Sequence, residues 1–185
     1  MQNKVLLNLS LVLLSALVTT FCFAQKPYKE PLEGQLHRYS SFTIGTCEVS
    51  DVTAKYRLST TVGEPTVFLN FKWKATSSAK LDCLDSESFE AFIEVYIGYT
   101  KYYIPAAGAL GTIPKGDNTW GNDPLSGSPS WSELFLPSLN GITPGNSRNR
   151  NYVSEDIAKG YWQSGAFRVT GVVFLDKDGN KNSIN

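Results

Sequence analysis

The feature that most constrains this chain is Phe89–Ile104, F-E-A-F-I-E-V-Y-I-G-Y-T-K-Y-Y-I. Through Ile97 one alternate set is apolar throughout: Phe89, Ala91, Ile93, Val95 and Ile97. The other set is mixed: Glu90, Phe92, Glu94 and Tyr96. Successive side chains of a strand point to opposite faces. A period of two therefore predicts a strand with one face in a core and the other half wet. Strands as long as the whole stretch are rare, so a turn over Gly98–Lys101 and a short return strand Tyr102–Ile104 is the preferred reading.

Three other segments share the period. Val52, Ala54, Tyr56 and Leu58 alternate with Thr53, Lys55, Arg57 and Ser59. Val67, Leu69, Phe71, Trp73 and Ala75 alternate with polar Asn70, Lys72 and Lys74. With the turn Gly63-Glu64-Pro65 between them, these two runs predict an antiparallel hairpin with one wet face. Phe167–Leu175 is the third, with Phe167, Val169, Gly171, Val173 and Leu175 expected on one face. Before them, Gln25–Gly34 reads as an extended lead-in. Tyr39–Val49 reads as a first strand, with Phe42 and Ile44 on one face and Cys47 on the other, closed by a turn at Ser50-Asp51. Several short strands parted by turn signals predict an all-β, two-sheet antiparallel β-sandwich.

Two segments break the strand pattern. Pro105–Asn151 holds six of the nine prolines and seven of the fifteen glycines, and reads as a long loop excursion. In a compact domain such a loop is functional or poorly ordered. Only Ser132–Leu136 looks able to pair there, and Trp120 and Trp131 argue for partial order. Tyr152–Gly160 is the one helix candidate. Ser154 can cap it, Glu155 and Asp156 sit in its positive first turn, and Gly160 can end it. Two turns do not persist alone, so this helix must dock.

Residues 1–24 read as a signal peptide. Lys4 precedes the apolar run Val5–Val18, and Cys22-Phe23-Ala24 offers small residues where a signal peptidase cuts, placing cleavage after Ala24. An uncleaved anchor is the rival, since Val5–Ala24 is about long enough to span a bilayer. Cleavage leaves no membrane span, and residues 35–185 form one domain in a secreted or periplasmic protein. Cys22 departs with the leader, so Cys47 and Cys83 remain and are expected to form a disulfide. Closing that loop of about 36 residues stabilises the fold by roughly 3–4 kcal/mol on the chain-entropy model. No C-x-x-C is present and His37 is the only histidine, which sets aside a redox or metal role for the pair.

The segment S-G-A-F-R-V-T-G-V-V-F-L-D-K-D-G-N, Ser164–Asn180, resembles the closing hairpin of bacterial Ig-like β-sandwich repeats, which often end on a strand followed by D-x-x-G-N. The resemblance covers under about a tenth of the chain. It implies an Ig-like or jelly-roll-like sandwich and a binding or spacing role in a surface protein. The chain departs from that pattern by its long Pro/Gly/Trp insertion, by ending before a full final strand, and by having no tandem partner.

Candidate chemistry is sparse. The formal net charge of zero argues against nucleic acid, which needs a basic face, although a local basic patch stays open. No G-x-S-x-G occurs, and a nucleophile triad would have to use His37. Glu90 and Glu94 share a strand face with Phe92 and Tyr96, as carboxylates do in some sandwich-fold glycosidases. Four residues apart on a strand they are roughly 13 Å from one another. Glycoside hydrolysis needs about 5–9.5 Å, so a partner must come from another strand. The plainer expectation is cross-strand pairing with lysines such as Lys72 and Lys74. Asp176, Asp178 and Asn180 put oxygens at alternate positions, as a calcium loop does, but lack its distant bidentate Glu, and read better as a turn.

The aromatic residues of the excursion and its flank, Trp120, Trp131, Tyr161 and Trp162, lie among Asp117, Asn118, Asn122 and Asp123. Flat rings stack on sugars and amides bond hydroxyls, while the same residues suit protein interfaces. The competing reading makes the tryptophans lids over the sandwich's open edge. The expected function is a secreted non-catalytic module that binds glycan or protein through these loops, with no cofactor. A small glycoside hydrolase using Glu90 or Glu94, or a structural surface subunit, are the alternatives.

Overall fold

Alternation of apolar and polar side chains pairs strands face to face, and that pairing dominates the architecture. The computed structural model describes residues 32–44, 47–75, 89–106, 120–146, 150–176 and 178–185. Its strands are β1 (Leu32–Arg38), β2 (Phe42–Ile44), β3 (Cys47–Thr61), β4 (Glu64–Ala75), β5 (Phe89–Ile97), β6 (Thr100–Pro105), β7 (Trp120–Gly127), β8 (Phe167–Asp176) and β9 (Lys181–Ile184). One α-helix, α1, spans Glu155–Ser164. Sheet A runs in the order β1-β3-β4-β7, with β2 also on β3, and sheet B runs β6-β5-β8-β9. Every pairing is antiparallel. The fold is the expected all-β two-sheet sandwich.

The main core lies between the sheets. Ala54, Leu58, Val67, Leu69, Phe71 and Trp73 face it from sheet A. Ala91, Ile93, Val95, Ile104, Val172 and Phe174 face it from sheet B. The edges meet where the Arg38 Nη1 donates to the Ser183 carbonyl at 2.7 Å and the guanidinium lies 4.5 Å from the centre of the Phe42 ring.

Two β-bulges reset which residues face inward. In β3 the register shifts between Ser50 and Thr53, so the expected Ser50-Asp51 turn is a bulge inside a continuous strand. Asp51 takes a left-handed φ of 51°, which asparagine and aspartate tolerate better than most residues. Val49 and Val52 are both buried as a result. In β8 the pairing passes from Glu94↔Gly171 to Val95↔Val169, leaving Thr170 as the extra residue. The expected single face of β8 is therefore split. Phe167 and Val169 share the main core with Val172 and Phe174, while Val173 and Leu175 point to the opposite side.

Other expectations need revision. The first strand, β1, starts at Leu32, inside what read as a lead-in, and Tyr39–Val49 is not one strand but is broken between β1, β2 and β3. Gly34 explains the early start. It pairs with Tyr56, and a Cβ there would collide with the Tyr56 hydroxyl, so the missing side chain lets the ring lie against β1. Within the excursion, β7 is a strand that pairs with β4 from Val67↔Gly127 to Lys74↔Trp120. Its Pro124 is compatible with an edge strand, where one face of the backbone needs no ladder partner. Ser132–Leu136 forms instead a 3-10 turn at Trp131–Glu133 and a single bridge, Leu136 to Tyr103. Helix α1 begins after Ser154, which holds the N-cap position but makes no side-chain capping hydrogen bond, and it passes through Gly160 to end at Gly165, whose φ is 58°. Ala158 and Trp162, four residues apart, are buried, and that burial outweighs the roughly 1 kcal/mol that a mid-helix glycine forgoes.

Candidate functional site

The two sheets turn different outer faces to the surroundings. On sheet B, β5 projects Glu90, Phe92, Glu94 and Tyr96 outward, and part of that face is roofed. After bridging Tyr103, the chain crosses the sheet and lays Leu136, Leu139 and Ile142 on Phe92, Val173 and Leu175. Phe92 is fully buried. Arg150, on the same crossing segment, holds Glu90 through both guanidinium nitrogens, with Nη1 to Oε1 at 2.7 Å and Nη2 to Oε2. Burial pushes the Arg150 guanidinium down, but hydrogen bonds with Glu90 and Tyr152 outweigh it and hold it above its ordinary value. Glu94 accepts from Thr170 Oγ1 at 2.9 Å and pairs with Lys101 at 2.8 Å. Its hydrogen bond to Lys101 raises that amine. The lysines expected to pair with these carboxylates, Lys72 and Lys74, are on the other sheet.

The aromatic candidates divide. Trp162 is 1% exposed, and its Nε1 donates to Thr60 Oγ1 at 2.9 Å, fastening α1 to the end of sheet A. Trp131 stacks edge-on against it at 6.3 Å. Tyr161 packs against Tyr102 and Phe135, and its hydroxyl shares a 3.2 Å hydrogen bond with that of Tyr102. These residues form a lid over one end of the sandwich. The backbone of Trp120 pairs with Lys74 in β7. Asp117, Asn118 and Cys83 lie outside the described residues, as do residues 1–24 and the side chains of Cys47, Trp120, Asn122 and Asp123.

The Asp176–Asn180 segment is a closed turn. Asp176 Oδ1 accepts from the backbone amides of Asp178 and Asn180, each at 2.9 Å, and Oδ2 accepts from Asn180 Nδ2 at 3.0 Å. Both oxygens are thereby used by the turn itself. Among the described residues no cluster of three or more His, Cys, Asp or Glu side chains is placed to hold a metal ion, and no helix is long and apolar enough to cross a membrane.

The outer face of sheet A has the opposite character. The polar set of the alternation stands on it in cross-strand rows: Glu33–Arg57–Phe68, Gln35–Lys55–Asn70 and His37–Thr53–Lys72. Between β1, β3 and β4 a groove of about 510 Å³ is lined by Glu33, Gln35, Lys55, Arg57 and Phe68. Among the described residues, Lys55, Arg57, Lys72 and Lys74 form no ion pair. The two buried side-chain atoms without a hydrogen-bond partner, His37 Nε2 and Thr66 Oγ1, both belong to residues of this face. His37 otherwise bonds Thr53 Oγ1 through Nδ1 at 3.2 Å and stacks on Tyr39 at 4.0 Å. Sequence reading passed over these residues because any half-wet strand carries such a polar set. The signal was the pair of cations Lys55 and Arg57 on β3 beside the pair Lys72 and Lys74 on β4. No family model, no curated protein and no solved structure matches the chain.

Proposed function

We propose that this chain is an exported, non-catalytic binding module that takes a glycan or protein ligand on the outer face of sheet A. The observation that carries the reading is the polar face itself, on which Lys55, Arg57 and Lys72 are exposed. It has a groove and four cations without an ion pair among the described residues, on a three-strand platform. Strand platforms hold contact groups with less freedom than loops do, so less ordering is needed on binding. The leader-like Val5–Val18 run supports export, and the likeness of Ser164–Asn180 to the closing hairpin of Ig-like surface modules agrees with a binding role. In an oxidising compartment Cys47 and Cys83 would pair, which peptide mapping without reductant tests. The tryptophan loops serve this reading less well, because Trp162 is spent on the core.

Catalysis through Glu90 or Glu94 is disfavoured because each carboxylate is already held by a cation. The test is a glycan array and a protein pull-down with the chain from Gln25 onward, beside a Lys55→Ala/Arg57→Ala variant. We expect a retained ligand whose affinity falls at least about tenfold in the variant, the equivalent of one charged hydrogen bond, with an unchanged melting midpoint. A ligand bound equally by the variant overturns the site.

A further inference from the structure

We infer that the ligand of this face is an acidic polysaccharide, an inference that rests on sheet A's outer face being the binding surface. The argument begins with repulsion. Lys55 and Arg57 are two residues apart on β3, about 7 Å along the strand. Lys72 is the diagonal neighbour of Lys55 on β4, because Lys55 pairs with Asn70, and such neighbours lie about 7–8 Å apart. These separations do not exceed the Debye length of roughly 8 Å at physiological salt, so Lys55 is repelled by both Arg57 and Lys72 in the free protein, and Glu33 opposite Arg57 is the one carboxylate in these rows. Among the described residues no carboxylate ion-pairs with any of them. Sheet B shows that this chain can neutralise charge when structure requires it. An anionic ligand would relieve the repulsion on sheet A.

The groups between the cations select the kind of anion. Gln35 and Asn70 flank Lys55 in one row, giving amides that both donate to and accept from hydroxyls. Phe68 beside Arg57 offers an apolar ring for the flat face of a sugar. A cation between two amides with a ring alongside matches a chain whose units each carry hydroxyls, an apolar face and a carboxylate or sulfate. A nucleic acid fits less well. Single strands call for a series of stacking rings, and this face shows one; the formal net charge of zero gives no long-range basic field.

The experiment measures binding of the chain from Gln25 onward to polygalacturonate, alginate, hyaluronan and dextran sulfate, to fully methyl-esterified polygalacturonate, and to a single-stranded DNA oligonucleotide. We expect at least one acidic polysaccharide to bind and its esterified or neutral counterpart not to. Affinity should fall steeply from about 0.01 M to about 0.15 M salt, as the Debye length shrinks from roughly 30 Å to roughly 8 Å. Each of Lys55→Gln, Arg57→Gln and Lys72→Gln should weaken binding about tenfold, the equivalent of one charged hydrogen bond, without moving the melting midpoint. Equal binding of esterified and acidic polygalacturonate, DNA binding as tight as that of any polysaccharide, or no acidic polysaccharide bound at all would each overturn the inference. The binding-module reading survives those results if another ligand is still lost in Lys55→Ala/Arg57→Ala, and falls with the inference if none is.

Discussion

The outer faces of the two sheets are built from the same kind of alternating strand and end in opposite states. On sheet B the outward residues of β5 are covered or answered. Phe92 lies under Leu136, Leu139 and Ile142, Glu90 is clasped by Arg150, and Glu94 is bonded by Lys101 and Thr170. On sheet A the outward cations Lys55, Arg57 and Lys72 form no ion pair among the described residues, although Glu33 stands opposite Arg57. The difference teaches how to separate a structural charge from an available one. Burying a charge is expensive unless it is paired, so a chain that covers a sheet face must supply partners with the cover. Arg150 arrives on the same segment that roofs Phe92. An exposed charge needs no such partner for stability, because water solvates it.

The largest expected effect contrasts two phenylalanines on outward positions of central strands. Phe92→Ala should destabilise by about 3–5 kcal/mol, the range for deleting a buried aromatic ring. Phe68→Ala should stay within about 1 kcal/mol, because that ring is only partly covered. Urea unfolding of both variants decides it, and equal losses would erase the distinction between the faces. Next is the ion pair. Arg150 is 8% exposed at its side chain, so Arg150→Ala strands Glu90 under the roof and should lose about 2–4 kcal/mol. Lys72→Ala on the open face should be neutral within about 0.5 kcal/mol. Replacing Arg150 and Glu90 together by Met and Leu should recover most of the first loss, since the stranded charge is then gone.

That contrast was only half legible in the sequence. The inward sets of β3, β4 and β5 follow directly from a period of two, and those of their side chains that are described lie in or against the core. The roof could not be read that way. Phe92 looked like a half-wet residue because the residues that cover it come from a Pro/Gly-rich segment with no period, held by one bridge and a few apolar contacts. β7 escaped notice for a related reason. Its G-N-D-P-L-S-G carries no alternation, and its place comes from main-chain pairing to an edge of β4. The bulge at Thr170 reversed the expected facing of Val173 and Leu175, since one extra residue flips every side chain beyond it. The open face of sheet A was visible residue by residue but indistinguishable from any solvated strand face until its lack of partners could be compared with sheet B.

The hairpin tips extend the comparison. Sheet B turns between β5 and β6 at Gly98, with φ of 60°, which glycine adopts freely. Sheet A turns between β3 and β4 at Val62, with φ of 54°, followed by Gly63 at 82°. Positive φ at both central residues is the type I′ geometry that favours Asn-Gly, and a β-branched residue there is strained. Val62 is 98% exposed, so its side chain offers no packing in return. Val62→Asn should therefore stabilise the protein by about 0.5–1 kcal/mol, read as a rise in the urea midpoint at constant slope. A loss of stability would mean that the valine makes a contact its exposure hides.

The comparison extends to the lid over the sandwich's end, where sheet B's edge meets α1. Tyr102 and Tyr161 share a hydrogen bond, and that bond together with burial pushes the Tyr102 hydroxyl up from about 10 to about 12. A folded-state pKa above the unfolded one means that the unfolded chain releases its proton first as pH rises. The stability from this pair is thus fully present below about pH 10 and is lost between about pH 10 and 12. Tyr56, Tyr103 and Tyr152 are also raised by burial, so the whole fold weakens over that alkaline range. Tyr161→Phe removes the shared bond and should flatten the alkaline fall while lowering stability at neutral pH by about 1 kcal/mol, the net value of one buried hydrogen bond. Unfolding midpoints from pH 8 to 12 in both proteins measure it. Parallel curves would place the alkaline weakness in Tyr56, Tyr103 and Tyr152 and not in the lid.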